Sequence, residues 1–205
     1  MRLGRFLLGL TLLLLLIGHT IPLRDGDTFW HIVAGQDVWA SRSTVLVDQY
    51  SFAFSGHSWV YPDWLGGLIL ALVHFALGVN GLVFLCSFTF LAVYLITWSR
   101  CRQYDLPNVA VIGVLFSLFF CLFRFTSARP QLFGFLFFSA ILWVYERRER
   151  FSFVELLSIP VLQWFWTNTH RSAFLAPAFF LVAAILEYSG ARKRTAALFF
   201  LVCLA

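Results

Sequence analysis

The apolar residues of this chain fall into long runs separated by short polar breaks. Runs that are apolar on every side are typical of membrane helices, whereas helices and strands of soluble proteins show one apolar face. The first run covers residues 3–21 and is followed by a polar stretch over 22–63. Later runs lie at 82–98, 109–123, 132–145, 153–166 and 173–186, with a last one from 196. Because a span needs about 20 apolar residues, the pattern predicts an all-α, polytopic transmembrane helix bundle of about six to seven spans.

The segment over residues 64–77 is apolar but short, and it ends at Gly78. It either crosses the membrane or lies flat on its surface. Loops rich in Lys and Arg stay on the cytoplasmic side. If 64–77 lies flat, ten of the fifteen basic residues fall inside, whereas a crossing would put the basic cluster at 146–150 outside. We therefore predict an interfacial helix at 64–77 and a cytoplasmic N-terminus in the bacterial inner (plasma) membrane.

This choice makes residues 22–80 an extracytoplasmic loop with two interfacial helices, at about 27–40 and 64–77. The whole chain, 1–205, is then a single transmembrane module. The last apolar run, from 196, has ten residues, which reach only about 15 Å at about 1.5 Å per residue. We therefore expect a chain truncated within its seventh span.

Composition agrees with a membrane protein, since 60% of the residues are hydrophobic and only 12% are charged. The eight Trp residues lie mostly near the ends of the runs, where aromatic rings anchor helices at the level of the lipid headgroups. The distribution of basic residues in a membrane protein mainly reflects which loops are cytoplasmic. The net charge of +5 therefore does not indicate a nucleic-acid partner.

Four segments together resemble a known family. They read DGDTFWHIVAG at 25–35, WVYPDWL at 59–65, ARPQ at 128–131 and WTNTH at 166–170. Their order and spacing resemble the GT-C superfamily of membrane glycosyltransferases, chiefly uncharacterised bacterial members. Oligosaccharyltransferase, protein mannosyltransferase and aminoarabinose transferase catalytic subunits are more distant members. In that superfamily an acidic residue opens the first outer loop, and two juxtamembrane helices flank the active site.

The resemblance implies an inverting transferase whose partners are membrane lipid and a polyprenyl-phosphate sugar donor. Such an enzyme needs a carboxylate to activate the acceptor, positive groups to stabilise the leaving phosphate and, in some members, a divalent cation such as Mg or Mn. By carry-over, Asp27 is the first candidate for the catalytic base, with Asp25 beside it. The two carboxylates are also the candidate metal ligands. The alternative is that both cap a helix and keep the loop hydrated.

Further candidates for substrate binding lie in the outer loops. His31 is one helical turn beyond Asp27 and shares its face, unless it is an ordinary interfacial histidine. Arg129 suits a phosphate because a guanidinium donates paired hydrogen bonds, but it is also a plausible headgroup anchor. The remaining candidates are Asp63, Asn168 and His170. For Asn168 and His170, which share one outer loop, the alternative is a solvated turn.

Three functions compete for this pattern. The first is a lipid-linked-sugar glycosyltransferase, and the second is a non-catalytic membrane assembly or lipid-binding subunit on the same scaffold. The third, a transporter, is disfavoured because transporters carry charged groups near the membrane midplane, often in repeated halves. The apolar runs here hold few charges and show no internal symmetry.

Overall fold

The chain folds almost entirely into helices, with one small hairpin. The computed structural model describes residues 2–23, 25–147, 149, 152–186 and 190–204. The helices are α1 (Arg2–Gly18), α2 (Gly26–Ser41), α3 (Trp64–Gln103), α4 (Asn108–Phe123), α5 (Gln131–Glu146), α6 (Phe153–Leu156), α7 (Ser158–Thr169), α8 (Leu175–Leu186) and α9 (Gly190–Leu204). A short 3-10 turn, Arg171–Phe174, joins α7 to α8. The all-α part of the predicted fold class therefore holds.

Helix α2 covers the segment predicted to be helical at 27–40. Asp25 caps its first turn, since its carboxylate accepts a hydrogen bond from the backbone N–H of Asp27. The helix ends at Ser41, and the next residue, Arg42, adopts a left-handed conformation with φ 52°. The N-cap at Asp25 and the left-handed conformation of Arg42 explain why the helix begins and ends where it does.

Two short antiparallel strands, β1 (Val45–Val47) and β2 (Ser58–Val60), follow α2. Leu46 lies opposite Trp59 in this hairpin. Leu46 is buried with Ala34 and Val38 of α2, so the hairpin is packed against that helix. The sequence predicted only extended or turning chain here.

Helix α3 is interrupted at Gly78, which has φ 63° and ψ −158°. Glycine tolerates a positive φ because it has no Cβ. The interruption divides α3 into a first half, residues 64–77, and a second half that continues to Gln103. The first half is the segment predicted to lie flat at the membrane interface; it is helical as expected, and its position relative to a membrane stays a prediction.

The prediction of six to seven spans is wrong. Only α3 is long and apolar enough to cross a membrane among the described residues, and the other apolar helices have 10–17 residues. A helix of 16 residues such as α4 is about 24 Å long, less than the roughly 30 Å of a bilayer core. The turn after Gly18 shortens the first helix relative to its run. The runs at 109–123, 132–145 and 173–186 have only 14 or 15 residues, and the run at 153–166 is divided between α6 and α7.

The apolar interior has two parts. One lies among α1, α3, α4 and the first turns of α5, with Leu15, Leu82 and Phe90 fully buried. The other lies among α5, α7, α8 and α9, around Trp166 and Phe180. Outside these cores many large apolar side chains are exposed, and only 22% of the most apolar stretch of α3 is buried.

Two adjacent glycines at the start of α3 bring separate segments together. A Cβ on Gly35 of α2 would lie 2.1 Å from the carbonyl oxygen of Gly67, so α2 and α3 touch through their backbones. A Cβ on Gly66 would lie 2.6 Å from the Thr169 carbonyl oxygen and 2.7 Å from Pro130. The lack of a side chain on Gly35 therefore lets α2 approach α3. The lack of one on Gly66 lets the start of α3 approach the end of α7 and the turn before α5.

The opposite end of α3 gathers basic residues. Arg100 forms an ion pair with Glu146 at the end of α5, with 2.5 Å between Nη2 and Oε1. Arg5 of α1 and Arg102 of α3 line one cleft together with Asn108, the first residue of α4. Polar groups thus collect at both ends of α3, with basic residues prominent at its C-terminal end.

Candidate functional site

The site is centred on an ion pair between Asp25 and Arg129. Arg129 lies just before α5, and its Nη2 atom donates to Asp25 Oδ1 while its Nε atom is in ion-pair contact with Asp25 Oδ2 without forming a hydrogen bond. Ser127 adds a hydrogen bond of 2.9 Å to Asp25 Oδ2. The pair thus joins both oxygens of the carboxylate to the guanidinium, one of them through a charge-assisted hydrogen bond. The cap of α2 is thereby attached to the turn before α5.

Asp27 contacts the same guanidinium. Its Oδ2 atom lies 2.8 Å from Arg129 Nη2, and 63% of its side chain is exposed, against 26% for Asp25. The two carboxylates therefore differ in their surroundings. Asp25 is held by Arg129 and Ser127, whereas Asp27 retains an open side toward solvent.

The charges of the pair stabilise one another. The hydrogen bond from Arg129 is the main cause that lowers the pKa of Asp25 below its usual range, and Ser127 adds to this effect. In return, the hydrogen bond to Asp25 raises the pKa of Arg129. Both groups are therefore charged at neutral pH.

His31 lies beside this pair, on the inner side of α2. Its Nδ1 atom forms a hydrogen bond of 2.7 Å with the hydroxyl of Tyr61. Burial lowers the pKa of His31, while the negative charges of Asp63 and Asp27 partly oppose that shift. Burial also raises the pKa of Tyr61. The two rings form a neutral hydrogen-bonded pair at neutral pH.

Asp63 and His170 complete the polar cluster. Asp63 is only 5% exposed and accepts a hydrogen bond of 3.1 Å from the backbone N–H of Arg171. His170 bonds to Ser172 through Nδ1, and burial lowers the pKa of His170 although Asp63 opposes the shift. The structure therefore brings Asp25, Asp27, His31, Asp63, Arg129 and His170 to one end of α3.

Asn168 has a different position. Its side-chain oxygen accepts from the indole N–H of Trp64 at 2.9 Å, and its amide donates to the Trp164 carbonyl at 2.7 Å. The oxygen thus attaches α7 to the first turn of α3, and the amide nitrogen bonds within α7 itself. The arrangement gives Asn168 a structural contact and leaves its role in substrate binding a prediction.

An open cleft of about 750 Å³ begins at Asp27. It lies between α2 and the loop that joins β1 to β2. Its lining comprises Asp27, Trp30, Asp48, Tyr50, Ser51, Phe54, His57, Ser58 and Trp59. The volume is within the range of small-molecule sites, and the lining combines aromatic rings with hydroxyls and carboxylates.

Sequence reasoning did not single out Ser127, Tyr61 or the aromatic cleft. Trp30 and Trp59 were interpreted mainly as membrane anchors, although the rings stack on each other with centroids 5.9 Å apart. Ser127 precedes Arg129 by two residues and carried no signal of its own. The one available clue was the alternation in Ser58-Trp59-Val60-Tyr61, which is typical of a strand.

The residues do not fit the divalent cation suggested for Asp25 and Asp27. The Arg129 guanidinium occupies the space between the two carboxylates, and Ser127 takes a further position on Asp25. Mg²⁺ and Mn²⁺ require several oxygen ligands around one point. Within the described part of the chain, no three His, Cys, Asp or Glu side chains form a metal-binding group. We therefore derive no step through a metal.

The arrangement offers two kinds of chemistry at neighbouring points. Asp27 presents a carboxylate that can accept a proton from a group in the cleft. Arg129 presents a cation that can stabilise negative charge on an oxyanion or phosphate. No protein-family model, curated protein or solved structure matches the chain.

Proposed function

We propose that this protein is a GT-C-like membrane glycosyltransferase that transfers a sugar from a polyprenyl-phosphate donor on the extracytoplasmic face. The observation that supports the proposal is that Asp27 belongs both to the cluster around Arg129 and to the lining of the cleft. Its carboxylate contacts Arg129 at 2.8 Å and also lines the open cleft. A base for the acceptor and a cation for the leaving phosphate therefore lie side by side.

The reaction needs no group beyond those of the site and its substrates. The acceptor hydroxyl gives its proton to Asp27 while its oxygen attacks the anomeric carbon of the donor sugar. The bond between that carbon and the phosphate oxygen breaks, and the electron pair leaves with the polyprenyl phosphate. Arg129 stabilises the negative charge that develops on the phosphate. Attack opposite the leaving group inverts the anomeric configuration.

The ion pair with Asp25 positions Arg129 for this role. Asp25 holds the guanidinium at two points, so the orientation of Arg129 is set before a donor binds. Preorganised charge avoids the cost of reorganising the site during the reaction. In this proposal Asp25 is a positioning residue, and Asp27 is the catalytic one.

We place the protein in the bacterial plasma membrane, anchored by α3. Core helices of soluble proteins are mostly buried, whereas only 22% of the most apolar stretch of α3 is buried. Phe75 and Phe88 of α3 are 88% and 59% exposed, which is costly in water and favourable in lipid.

The positive-inside rule gives the orientation. Arg100 and Arg102 lie in the last turn of α3, and Arg5 lines the same cleft as Arg102. This proposal therefore puts the C-terminal end of α3 in the cytoplasm. The Asp25–Arg129 site then faces the extracytoplasmic side.

A non-catalytic assembly or lipid-binding subunit is the second candidate. This candidate is favoured because the carboxylate oxygens of Asp25 already bond to Arg129, to Ser127 and to the first turn of α2. A pair with those contacts could serve only to attach two segments. The two functions differ in what they require of Asp27, which makes few structural contacts.

The test is transfer of a labelled monosaccharide from polyprenyl phosphate by membranes that contain the full chain. Asp27→Asn keeps the size of the side chain and removes the base, so transfer should fall at least about 100-fold. Asp105→Asn is the matched control, because Asp105 lies near the other end of α3 with φ 50°, which asparagine tolerates. Transfer that survives Asp27→Asn contradicts the catalytic role, and no transfer by the wild-type chain supports the second candidate.

The orientation has a separate test by cysteine labelling in a background without the native cysteines. Ser55→Cys lies in the exposed loop of the hairpin, and Tyr104→Cys lies at the opposite end of α3. In spheroplasts, a thiol reagent that cannot cross the membrane should label position 55 and not position 104. The reverse pattern contradicts an extracytoplasmic site.

A further inference from the structure

The cleft beside Asp27 has walls that suit a particular acceptor. We infer that it is the acceptor subsite and that the acceptor is a saccharide whose ring is uncharged or carries an amine, and not an acidic sugar. This inference rests on the proposed function for its reaction, but its evidence is the lining of the cleft. That evidence has three parts, which concern shape, charge and position.

The shape of the cleft provides flat apolar surfaces. Trp30 and Trp59 are nearly parallel, with an angle of 24° between their planes, and Tyr50 meets Trp30 edge-on at 4.5 Å. The hydroxyl of Tyr50 donates to Asp37 of α2, which fixes the ring. Rigid aromatic faces bind the apolar C–H faces of pyranose rings, while hydroxyls of Ser51 and Ser58 at the edge can bond to sugar hydroxyls.

The charge of the cleft disfavours an anionic ligand. Asp27 and Asp48 both line it, and its lining contains no Lys or Arg among the residues described. The hydroxyl and backbone N–H of Ser51 donate to Asp48 and lower the pKa of that carboxyl, so it is ionised at neutral pH. A sugar carboxylate would face these two negative charges, whereas a hydroxyl or an ammonium group would bond to them.

The position of the cleft separates acceptor from donor. Asp27 belongs both to the lining and to the ion pair with Arg129, while Arg129 itself does not line the cleft. A sugar stacked on Trp30 can therefore present a hydroxyl to Asp27 from one side. The phosphate of the donor reaches Arg129 from another, so both substrates meet at Asp27.

The experiment measures sugar binding without any donor. Saturation-transfer NMR is recorded on the full chain in lipid nanodiscs with three probes: methyl glucoside, the methyl glycoside of glucosamine, and methyl glucuronide. The three share one ring and differ in charge at neutral pH. We expect the neutral and amine-bearing probes to bind, and the glucuronide to bind at least about fivefold more weakly.

The variants connect this selectivity to named residues. Trp30→Ala should weaken binding of the neutral probe by about fivefold to tenfold, and Trp30→Phe should retain part of it. Trp39→Ala is the matched control, because Trp39 is on the same helix and lines a separate cleft of about 490 Å³. Asp27→Asn should reduce the discrimination against methyl glucuronide.

The possible results separate this inference from the proposed function. Selective binding together with no transfer from any polyprenyl-phosphate sugar contradicts the reaction and keeps the saccharide subsite. Transfer with equal binding of the three probes, or equal losses in Trp30→Ala and Trp39→Ala, overturns the subsite. Displacement of the neutral probe by a serine- or threonine-containing peptide, and not by a disaccharide, also overturns it.

Discussion

The guanidinium of Arg129 holds the carboxylate of Asp25 at two points, although 104 residues separate them in the chain. This contact joins the start of α2 to the turn before α5. Because Asp27 shares the same guanidinium, the geometry of the candidate base depends on the pair. The contribution of the pair to stability can be measured apart from the cap of α2.

Asp25→Asn should lower the free energy of unfolding by about 1–2 kcal/mol, between the values typical of exposed and buried ion pairs. Asparagine remains a good N-cap, so this variant isolates the ion pair. Asp25→Ala also loses the cap and should cost about 1 kcal/mol more. Thermal unfolding in detergent provides the measurement, and equal stability of Asp25→Asn and wild type would show that the pair contributes nothing.

The contribution of Asp25 should depend on pH. Arg129 lowers the pKa of folded Asp25 below its ordinary value of 3.8, so the folded state binds this proton less readily than the unfolded state. The stabilisation is therefore fully present above about pH 4 and is lost as the pH falls through the folded pKa. The stability difference between wild type and Asp25→Asn should be constant from pH 7 to 5 and narrow below pH 4. A difference that widens toward acid would contradict the sign.

Gly35→Ala should separate α2 from α3. The added Cβ would lie 2.1 Å from the Gly67 carbonyl oxygen, a backbone atom that can move only with its helix. We expect a loss of about 3 kcal/mol or more, or failure to fold. Gly113→Ala is the control, since a Cβ there meets nothing within 4 Å, and alanine should favour α4 by about 0.5–1 kcal/mol. Yield of folded protein and its unfolding temperature give the comparison.

Tyr94→Phe should destabilise the contact between α1 and α3. His19 is fully buried, and its ring nitrogens bond the Tyr94 hydroxyl and the Thr126 hydroxyl at 2.6 Å each. Without the hydroxyl one buried nitrogen loses its partner, which typically costs about 1–3 kcal/mol. Tyr104→Phe, at a residue that is 66% exposed, should change the stability little. Equal unfolding temperatures for the two variants would contradict a stabilising role of the bond.

The sequence identified much of the site because the polar residues were few and each could be assigned to one side of the predicted membrane. Asp25, Asp27 and Arg129 were proposed for one face of the protein, and the structure places them in direct contact. Their pairing could not be predicted, since either aspartate was free to meet Arg129. In the structure both do: Asp25 contacts the guanidinium at two points from the N-cap position, and Asp27 contacts it at one point from the first turn of α2.

The count of spans failed for a different reason. The runs at 109–123 and 132–145 have 15 and 14 residues, fewer than the roughly 20 of a span, and α4 and α5 extend at most one residue beyond either end of them. The first run continued past Gly18, where α1 ends. Likewise the aromatic rings of Trp30 and Trp59 were consistent with anchoring in lipid, and only the hairpin register placed them in one cleft.

The contact of Gly35 with Gly67 fixes the distance between α2 and α3 through main-chain atoms alone. Gly35 and Gly67 do not line the cleft beside Asp27. Substitution of Trp30 or Asp48 in that cleft therefore changes no atom of this contact between α2 and α3. If the proposed function holds, substitutions at these two residues should change acceptor binding while α2 and α3 stay in contact.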